Sequence, residues 1–251
     1  MGREVAITSS PKRIISLVPS QTELLHAFQL ENEVVGITKF CIHPKEWFES
    51  KKRIGGTKQL KLDVIRELQP DLIIGNKEEN TKEDIAFLEK EFPVWMSDVN
   101  TIEDAFEMIL SVGEICNRQQ ESQVFVQNIC NSFQGLNAIG KGKKVLYFIW
   151  HEPAFVTGKN TFIDAMIQLL GFENACSLER YPSLDELKNC QPDFVFLSSE
   201  PFPFSESHRS YYSQLFPEAK VLFVDGEMFS WYGSRMELAA DYFKKMCSNF
   251  I

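Results

Sequence analysis

Cys41 and His43 lie two residues apart in the stretch Phe40-Cys41-Ile42-His43-Pro44, and His151 follows the apolar run Lys144 to Trp150. These three side chains have the widest chemical repertoire in the sequence. A thiolate and two imidazoles are good ligands for soft and borderline metals, so a meeting of the three could take zinc, copper or the iron of haem, or replace an axial ligand of cobalt. A spacing of two on an extended segment permits Cys41 and His43 to converge without requiring it. The same pair could act as nucleophile and base, but the sequence offers no recognisable oxyanion arrangement and no group to orient the imidazole, so a thiol enzyme is the weaker reading.

A second set is aromatic. Trp150, Phe155, Phe202, Phe229, Trp231 and Tyr232 all follow strand-like runs, with Asp225 and Arg235 beside the last three. Rings stack on a flat, partly apolar ligand while a few polar groups set its orientation. Each has a plainer explanation. Trp150 and Phe155 would serve equally as core packing, and Arg235 could brace its own loop by pairing with Asp225 or Glu227. The segment Thr157-Gly158-Lys159-Asn160-Thr161 contains a lone Gly-Lys pair but not the glycine-rich spacing of a phosphate-binding loop.

The elements that must position these residues read as alternating strands and helices. Arg13 to Val18 is a β-branched run leading to Pro19, and Ser20 with Glu23 reads as a capping box opening an amphipathic helix. Strands follow at 34–37, 71–75 and 94–97, with helices at 63–68 and 83–92, and the sequence between Phe40 and Lys58, with its Gly55-Gly56 corner, reads as a loop. The second half offers strands at 144–150, 193–198 and 221–224, a helix from Phe162 to Leu170, another starting at Pro182-Ser183, and a closing helix from Met236 to Cys247. Residues 225–235 read as an exit loop. Strand and helix alternating at this spacing means parallel sheets with right-handed crossovers. Gln69-Pro70-Asp71 and Gln191-Pro192-Asp193 each precede a buried strand, an internal repeat that marks two related halves.

Between the halves lies Thr101 to Gly140, free of proline and helical in its apolar spacing, with a polar break at Asn117 to Gln120. A helical segment between two comparable lobes is a semi-rigid spacer, since each residue advances only about 1.5 Å. The expected fold is therefore α/β, two Rossmann-like lobes with parallel sheets joined by one long backbone helix. The boundaries are an N-terminal lobe at 1–117, a linking helix at 118–140 and a C-terminal lobe at 141–251.

The totals exclude several classes. The chain has 251 residues, 44% of them hydrophobic and 24% charged, which is globular composition. A formal net charge of −9 with no basic stripe argues against a nucleic-acid partner. No apolar stretch approaches the ~20 residues of a membrane span. Six cysteines without a Cys-x-x-Cys pair build neither a zinc ribbon nor a disulfide framework and read as free thiols.

With these stretches in view, the chain resembles the helical-backbone class of ABC-importer substrate-binding proteins, within it the cobalamin-binding branch. The stretches that carry the resemblance are RIISLVPSQTELL, FCIHP with IGGTK, LQPDLIIGNKEEN, EPAFVTGKNTFIDAMIQLLGFENA, LSSEPFPF and DGEMFSWYGSR, spanning nearly the whole chain. The resemblance implies a backbone helix near Gln119 to Leu136, no enzymatic activity, a monomer, and a ligand held where the strand exits face one cleft. Its ligand is expected to be cobalamin, haem or a ferric chelate such as a siderophore, with no cofactor of the protein's own. The cleft so drawn collects Ser20, Cys41, His43, Gly56, Thr57, Trp150, His151, Phe155, Thr161, Phe202, Asp225, Phe229, Trp231, Tyr232 and Arg235. The resemblance places ring contacts at the exits carrying Cys41, Trp150, Phe155, Phe229 and Trp231, and a polar contact at Asp225. It also implies that one carboxylate on each lobe docks the permease dimer, positions that fit Glu78 or Glu79 and Glu200; the plainer fate of such charges is a solvated loop tip. Family members are periplasmic or held at the cell surface. If the chain truly begins at Met1, basic residues without an apolar run follow, which is the start expected of a cytoplasmic relative.

Overall fold

Ile14 and Ile15, Leu72 to Ile74, Val145 to Phe148 and Val195 to Leu197 are buried residue after residue. Successive side chains on a strand point to opposite faces, so unbroken burial means that both faces of each central strand are covered, the condition of a parallel α/β sheet. The computed structural model describes residues 5, 7, 9–187 and 190–250, the side chains of 247–250 apart. Contacts divide the chain into two units. The first comprises Met1–Val99, Glu103–Asn128 and Tyr232–Arg235; the second comprises Asn100–Ile102, Ile129–Trp231 and Met236–Ile251.

The first unit is built from β1 (Ile14–Ser16), α1 (Pro19–Ala27), β2 (Val34–Ile37), α2 (Lys45–Ser50), β3 (Lys52–Arg53), the short hairpin β4 (Gly55–Gly56) and β5 (Gln59–Leu60), α3 (Leu62–Leu68), β6 (Leu72–Asn76), α4 (Lys82–Leu88) and β7 (Val94–Ser97). Its sheet runs β3-β2-β1-β6-β7, every neighbouring pair parallel. Two expectations need correction. The N-cap of α1 is Val18, with no side-chain cap, so Ser20 and Glu23 do not form a capping box; Pro19 at the first position sets the helix start instead. Residues 45–50, expected in a loop, form α2 and bury Trp47.

Helices α5 (Ile102–Ile115) and α6 (Gln119–Ser132) fill the middle of the chain and break where the polar run predicts, at Asn117, whose φ is 56°. Gly113 matters at this turn, because a Cβ there would lie 2.3 Å from the Ser122 Oγ. The second helix ends at Ser132 rather than Leu136. Gly135 takes a left-handed φ of 77°, and Leu136–Ala138 is a single 3-10 turn, so a glycine stop intervenes before Gly140.

The second unit continues with β8 (Lys144–Trp150), β9 (Phe155–Val156), α7 (Phe162–Leu169), β10 (Glu173–Asn174), β11 (Phe194–Ser198), α8 (Glu206–Leu215), β12 (Lys220–Val224), α9 (Gly226–Ser230) and α10 (Arg235–Phe250). The path β10-β8-β11-β12 is parallel throughout, while β9 folds back antiparallel on β8. The helix expected from Pro182-Ser183 is only a 3-10 turn, Leu184–Glu186. Helix α9 occupies a stretch expected as loop, and α8 a stretch to which the sequence pattern assigned no element.

The repeated Gln-Pro-Asp has one physical job in both units. Asp71 accepts from the backbone N–H of Lys12 (2.7 Å) and of Arg13 (2.8 Å), and its own N–H donates to the Arg13 carbonyl. Asp193 accepts from the Lys144 N–H (2.8 Å) and the Lys143 ammonium (2.9 Å), and its N–H donates to the Lys144 carbonyl. Each aspartate thus fastens the start of one central strand to the start of its neighbour.

The bonds from Lys144 and Lys143 hold the Asp193 carboxyl below its ordinary range. A carboxylate so depressed contributes stability above its unfolded-state value of ~3.9, and that contribution is lost as the pH falls through the lower folded value. Asp193→Ala is therefore expected to cost about 1 kcal/mol near neutral pH, discounted for solvent exposure. In urea titrations across pH, the gap to the wild type should close below about pH 4; a gap that persists there would point to packing instead.

Candidate functional site

In the first unit the exit of β2 sorts its side chains sharply. Cys41 is wholly buried, where Thr22 Oγ1 donates to its Sγ at 3.1 Å and the Thr38 hydroxyl lies at the same distance. Burial raises the thiol above its ordinary value, only partly countered by those hydrogen bonds, so at neutral pH it stays protonated. Its neighbours point the other way: Phe40 is 49% exposed and Ile42 46%. A thiol so enclosed offers no surface for the ring contact expected at Cys41. His43 is half-buried.

Gly56 and Thr57 are buried in the small hairpin. A Cβ on Gly56 would meet the Phe40 ring at 3.1 Å, so glycine lets that ring lie close over the backbone. The Thr57 carbonyl accepts from Asn80 Nδ2 at 3.1 Å, and Asn80 Oδ1 in turn accepts from the Asn76 N–H at 2.9 Å. The tip after β6 is therefore built on buried asparagines rather than being a solvated run. Glu78 and Glu79 are half-buried, and burial raises the Glu79 carboxyl despite the attraction of Lys58. Ser20 is buried in the first turn of α1.

Arg235 and Tyr232, which belong to this unit by contact, are also buried. The Arg235 guanidinium makes a two-pronged pair with Glu23, Nε to Oε2 at 2.8 Å and the second prong to Oε1 at 2.7 Å. Glu23 is thus a carboxylate partner that the local sequence around Arg235 does not announce. Fork-to-fork pairing of this kind fixes geometry as well as charge.

In the second unit Trp150 ends β8 with 40% of its surface exposed, its indole N–H donating to the Glu152 carbonyl at 3.1 Å. Phe155, its half-buried partner on β9, and Phe202, with ring centroids 5.5 Å from Trp150, flank it. His151 is packed among rings, its Nδ1 3.1 Å from the hydroxyl of buried Tyr212. Burial pushes that phenol upward, so it stays neutral.

Other expected contacts are structural. Phe229 is wholly buried on α9 against Tyr147 (5.2 Å) and Phe243 (4.9 Å), a core ring rather than a ligand contact. Thr161 is the N-cap of α7, accepting from the Asp164 N–H, and Asp225 is the N-cap of α9, accepting from the Glu227 N–H. Trp231 is buried, and its indole N–H donates to Glu200 Oε1 at 3.0 Å; the Ser230 hydroxyl donates to the same oxygen at 2.6 Å. Glu200 is thus held in place rather than swinging on a solvated loop.

Among the described residues no three His, Cys, Asp or Glu side chains converge in an arrangement that could hold an ion. Cys41 is sealed in by two threonines, and His151 sits in an aromatic nest. What the exits present instead is apolar and aromatic surface: Phe40 and Ile42 in one unit, Trp150 with Phe202 in the other. Phe40 and Ile42 alternate with Cys41, and that alternation was the available signal for them. Five cysteines among the described side chains are free thiols; Cys247, the sixth, lies outside them.

Similarity to known proteins follows the same lines. The chain is 22% identical over 248 residues to a vitamin B12-binding protein of Pectobacterium carotovorum, covering 95% of this chain and 88% of that one. It is 24% identical over 187 residues to an uncharacterized ABC transporter substrate-binding lipoprotein of Bacillus subtilis, covering 70% of this chain and 59% of that protein's length. Among solved structures, the periplasmic vitamin B12 binding protein of Vibrio cholerae superposes with a TM-score of 0.80 at 18% identity, covering 96% of this chain and 98% of that one. A periplasmic heme-binding protein of Roseiflexus superposes with a TM-score of 0.79 at 19% identity, over 94% and 98%. These likenesses show a shared fold. The sequence pattern of the periplasmic binding protein family matches residues 14–214, so the chain belongs to that family of solute-binding proteins.

Proposed function

We propose that the chain is the substrate-binding component of an ABC importer and that its ligand is cobalamin or a related corrinoid. The observation that carries this reading is the alignment with a vitamin B12-binding protein over 95% of the chain. The exposed rings at the strand exits support it, because a flat conjugated macrocycle stacks on such surfaces while neighbouring polar groups orient it. In this reading the chain is organised as a lobe at 1–117, a linking helical segment at 118–140 and a lobe at 141–251. It acts by binding, without turnover, as a monomer in the periplasm or at the cell surface. Trp150, Phe155 and Phe202 of the second unit make ring contacts with the ligand; in the first unit Phe40 and Ile42 are the exposed apolar side chains, beside half-buried His43. Glu200, fixed by Ser230 and Trp231, and Glu78 with Glu79 engage the basic side chains of a permease dimer. Among the described residues no helix is long and apolar enough to cross a membrane.

The alternative ligand is haem, since a heme-binding protein shares the fold, or a ferric siderophore. Calorimetric titration with cyanocobalamin and haemin separates the two. Of the four tryptophans Trp150 is the exposed one, so its fluorescence should report the event. Cyanocobalamin is expected to bind one to one, quench that emission, and bind about ten-fold more weakly to Trp150→Ala, the loss of one good stack. Saturable binding of haemin with none of cyanocobalamin would overturn the corrinoid assignment.

A further inference from the structure

The row of rings that begins at Trp150 continues beyond the residues assigned above. Phe202 lies 5.5 Å from Trp150 and 5.1 Å from His208, and the His151 ring lies 4.5 Å from His208 and 5.4 Å from Tyr211, all between centroids. Rings therefore run without a gap from the exit of β8 onto α8. Both ends are open to solvent, Trp150 at 40% and Tyr211 at 53%.

The middle of the row is held from below. The Ser205 N–H donates to His208 Nδ1 at 2.8 Å, and Tyr212 supports His151 through its hydroxyl while its own ring packs 4.3 Å from Phe148. Rings fixed before a ligand arrives lose little side-chain freedom on binding. Nothing in the core requires Tyr211 to stay on the surface, since the adjacent Tyr212 takes the buried place on α8.

Charge narrows the ligand. With Nδ1 accepting from Ser205, a neutral His208 carries its proton on Nε2 and offers a donor to an amide or carboxylate oxygen. Glu152 stands 3.8 Å from His151 Nε2, Glu206 lies in the same turn of α8 as His208, and Arg209 of the same helix is paired with Glu206 at 3.3 Å. Two carboxylates against one engaged guanidinium disfavour a ligand whose rim carries carboxylates, and accept one whose rim carries neutral amides.

We infer that Tyr211 and His208 of α8 contact the ligand, extending the stacking surface of Trp150 and Phe202, and that this surface selects a flat macrocycle with amide substituents over one with carboxylates. The inference rests on the corrinoid reading. It is tested by titrating the full chain, Tyr211→Ala, Tyr211→Phe and His208→Gln with cyanocobalamin and, separately, with haemin, with thermal unfolding as the check on folding. Tyr211→Ala should weaken cyanocobalamin binding about ten-fold, Tyr211→Phe by less than about two-fold, and His208→Gln by about three-fold, each with an unchanged melting temperature. The wild type should prefer cyanocobalamin to haemin. Wild-type binding that is indifferent to Tyr211→Ala overturns the role of α8 and leaves the corrinoid reading standing. Tighter haemin than cyanocobalamin binding overturns the charge selection. Failure of the wild type to bind cyanocobalamin at all sinks the corrinoid reading, and this inference with it.

Discussion

Coverage of both faces of each parallel sheet is the constraint on which the rest of this protein depends. Ile14, Ile15, Ile73, Leu146, Phe148, Val195 and Leu197 have no exposed surface, so the sheets offer a ligand neither face. Chemistry is displaced to the carboxyl ends of the strands, where the chain leaves the sheet and side chains regain access to water. Phe40, Ile42 and Trp150 all emerge there, whereas Thr38 and Phe148, two positions before Phe40 and Trp150, are sealed.

A second consequence concerns polar groups. Backbone and side-chain donors at the strand exits must be satisfied within the fold wherever they are buried, and the residues that do so are easily mistaken for ligand contacts. Thr161 and Asp225 cap helices, Thr22 and Thr38 satisfy Cys41, and Glu200 collects the Trp231 indole and the Ser230 hydroxyl. Ion pairing follows the same economy: Arg235 is answered by Glu23, a residue 212 positions away. These groups shape the exits. The surfaces left for a ligand are mostly rings.

The regular elements were legible because their signals are local. The strands β7 and β8 begin and end where the β-branched and aromatic runs do, and the repeated Gln-Pro-Asp announced two related units before its job of joining neighbouring strand starts was visible. The failures have equally physical causes. Helix α8 hides in Glu206 to Leu215, a stretch of serine, histidine and tyrosine whose only wholly buried residue is Tyr212, so its apolar periodicity is faint. Helix α9 is five residues long, too short for a pattern, and Phe229 was consequently read as a loop ring rather than core. Cys41 was chosen for its chemistry, which says nothing about which way it points; Phe40 and Ile42 carry the exposed surface on either side of it. The Glu23 to Arg235 pair leaves no trace in local sequence at all.

The central claim is that a corrinoid rests on the ring row that starts at Trp150. Crystals grown with cyanocobalamin and measured at the cobalt absorption edge test it most directly, because the anomalous signal locates the metal independently of any fitted ligand. The account predicts a single strong cobalt site with the corrin ring in van der Waals contact with the Trp150 indole and its edge reaching Tyr211. A cobalt site remote from both rings, or none at a saturating ligand concentration, would contradict it.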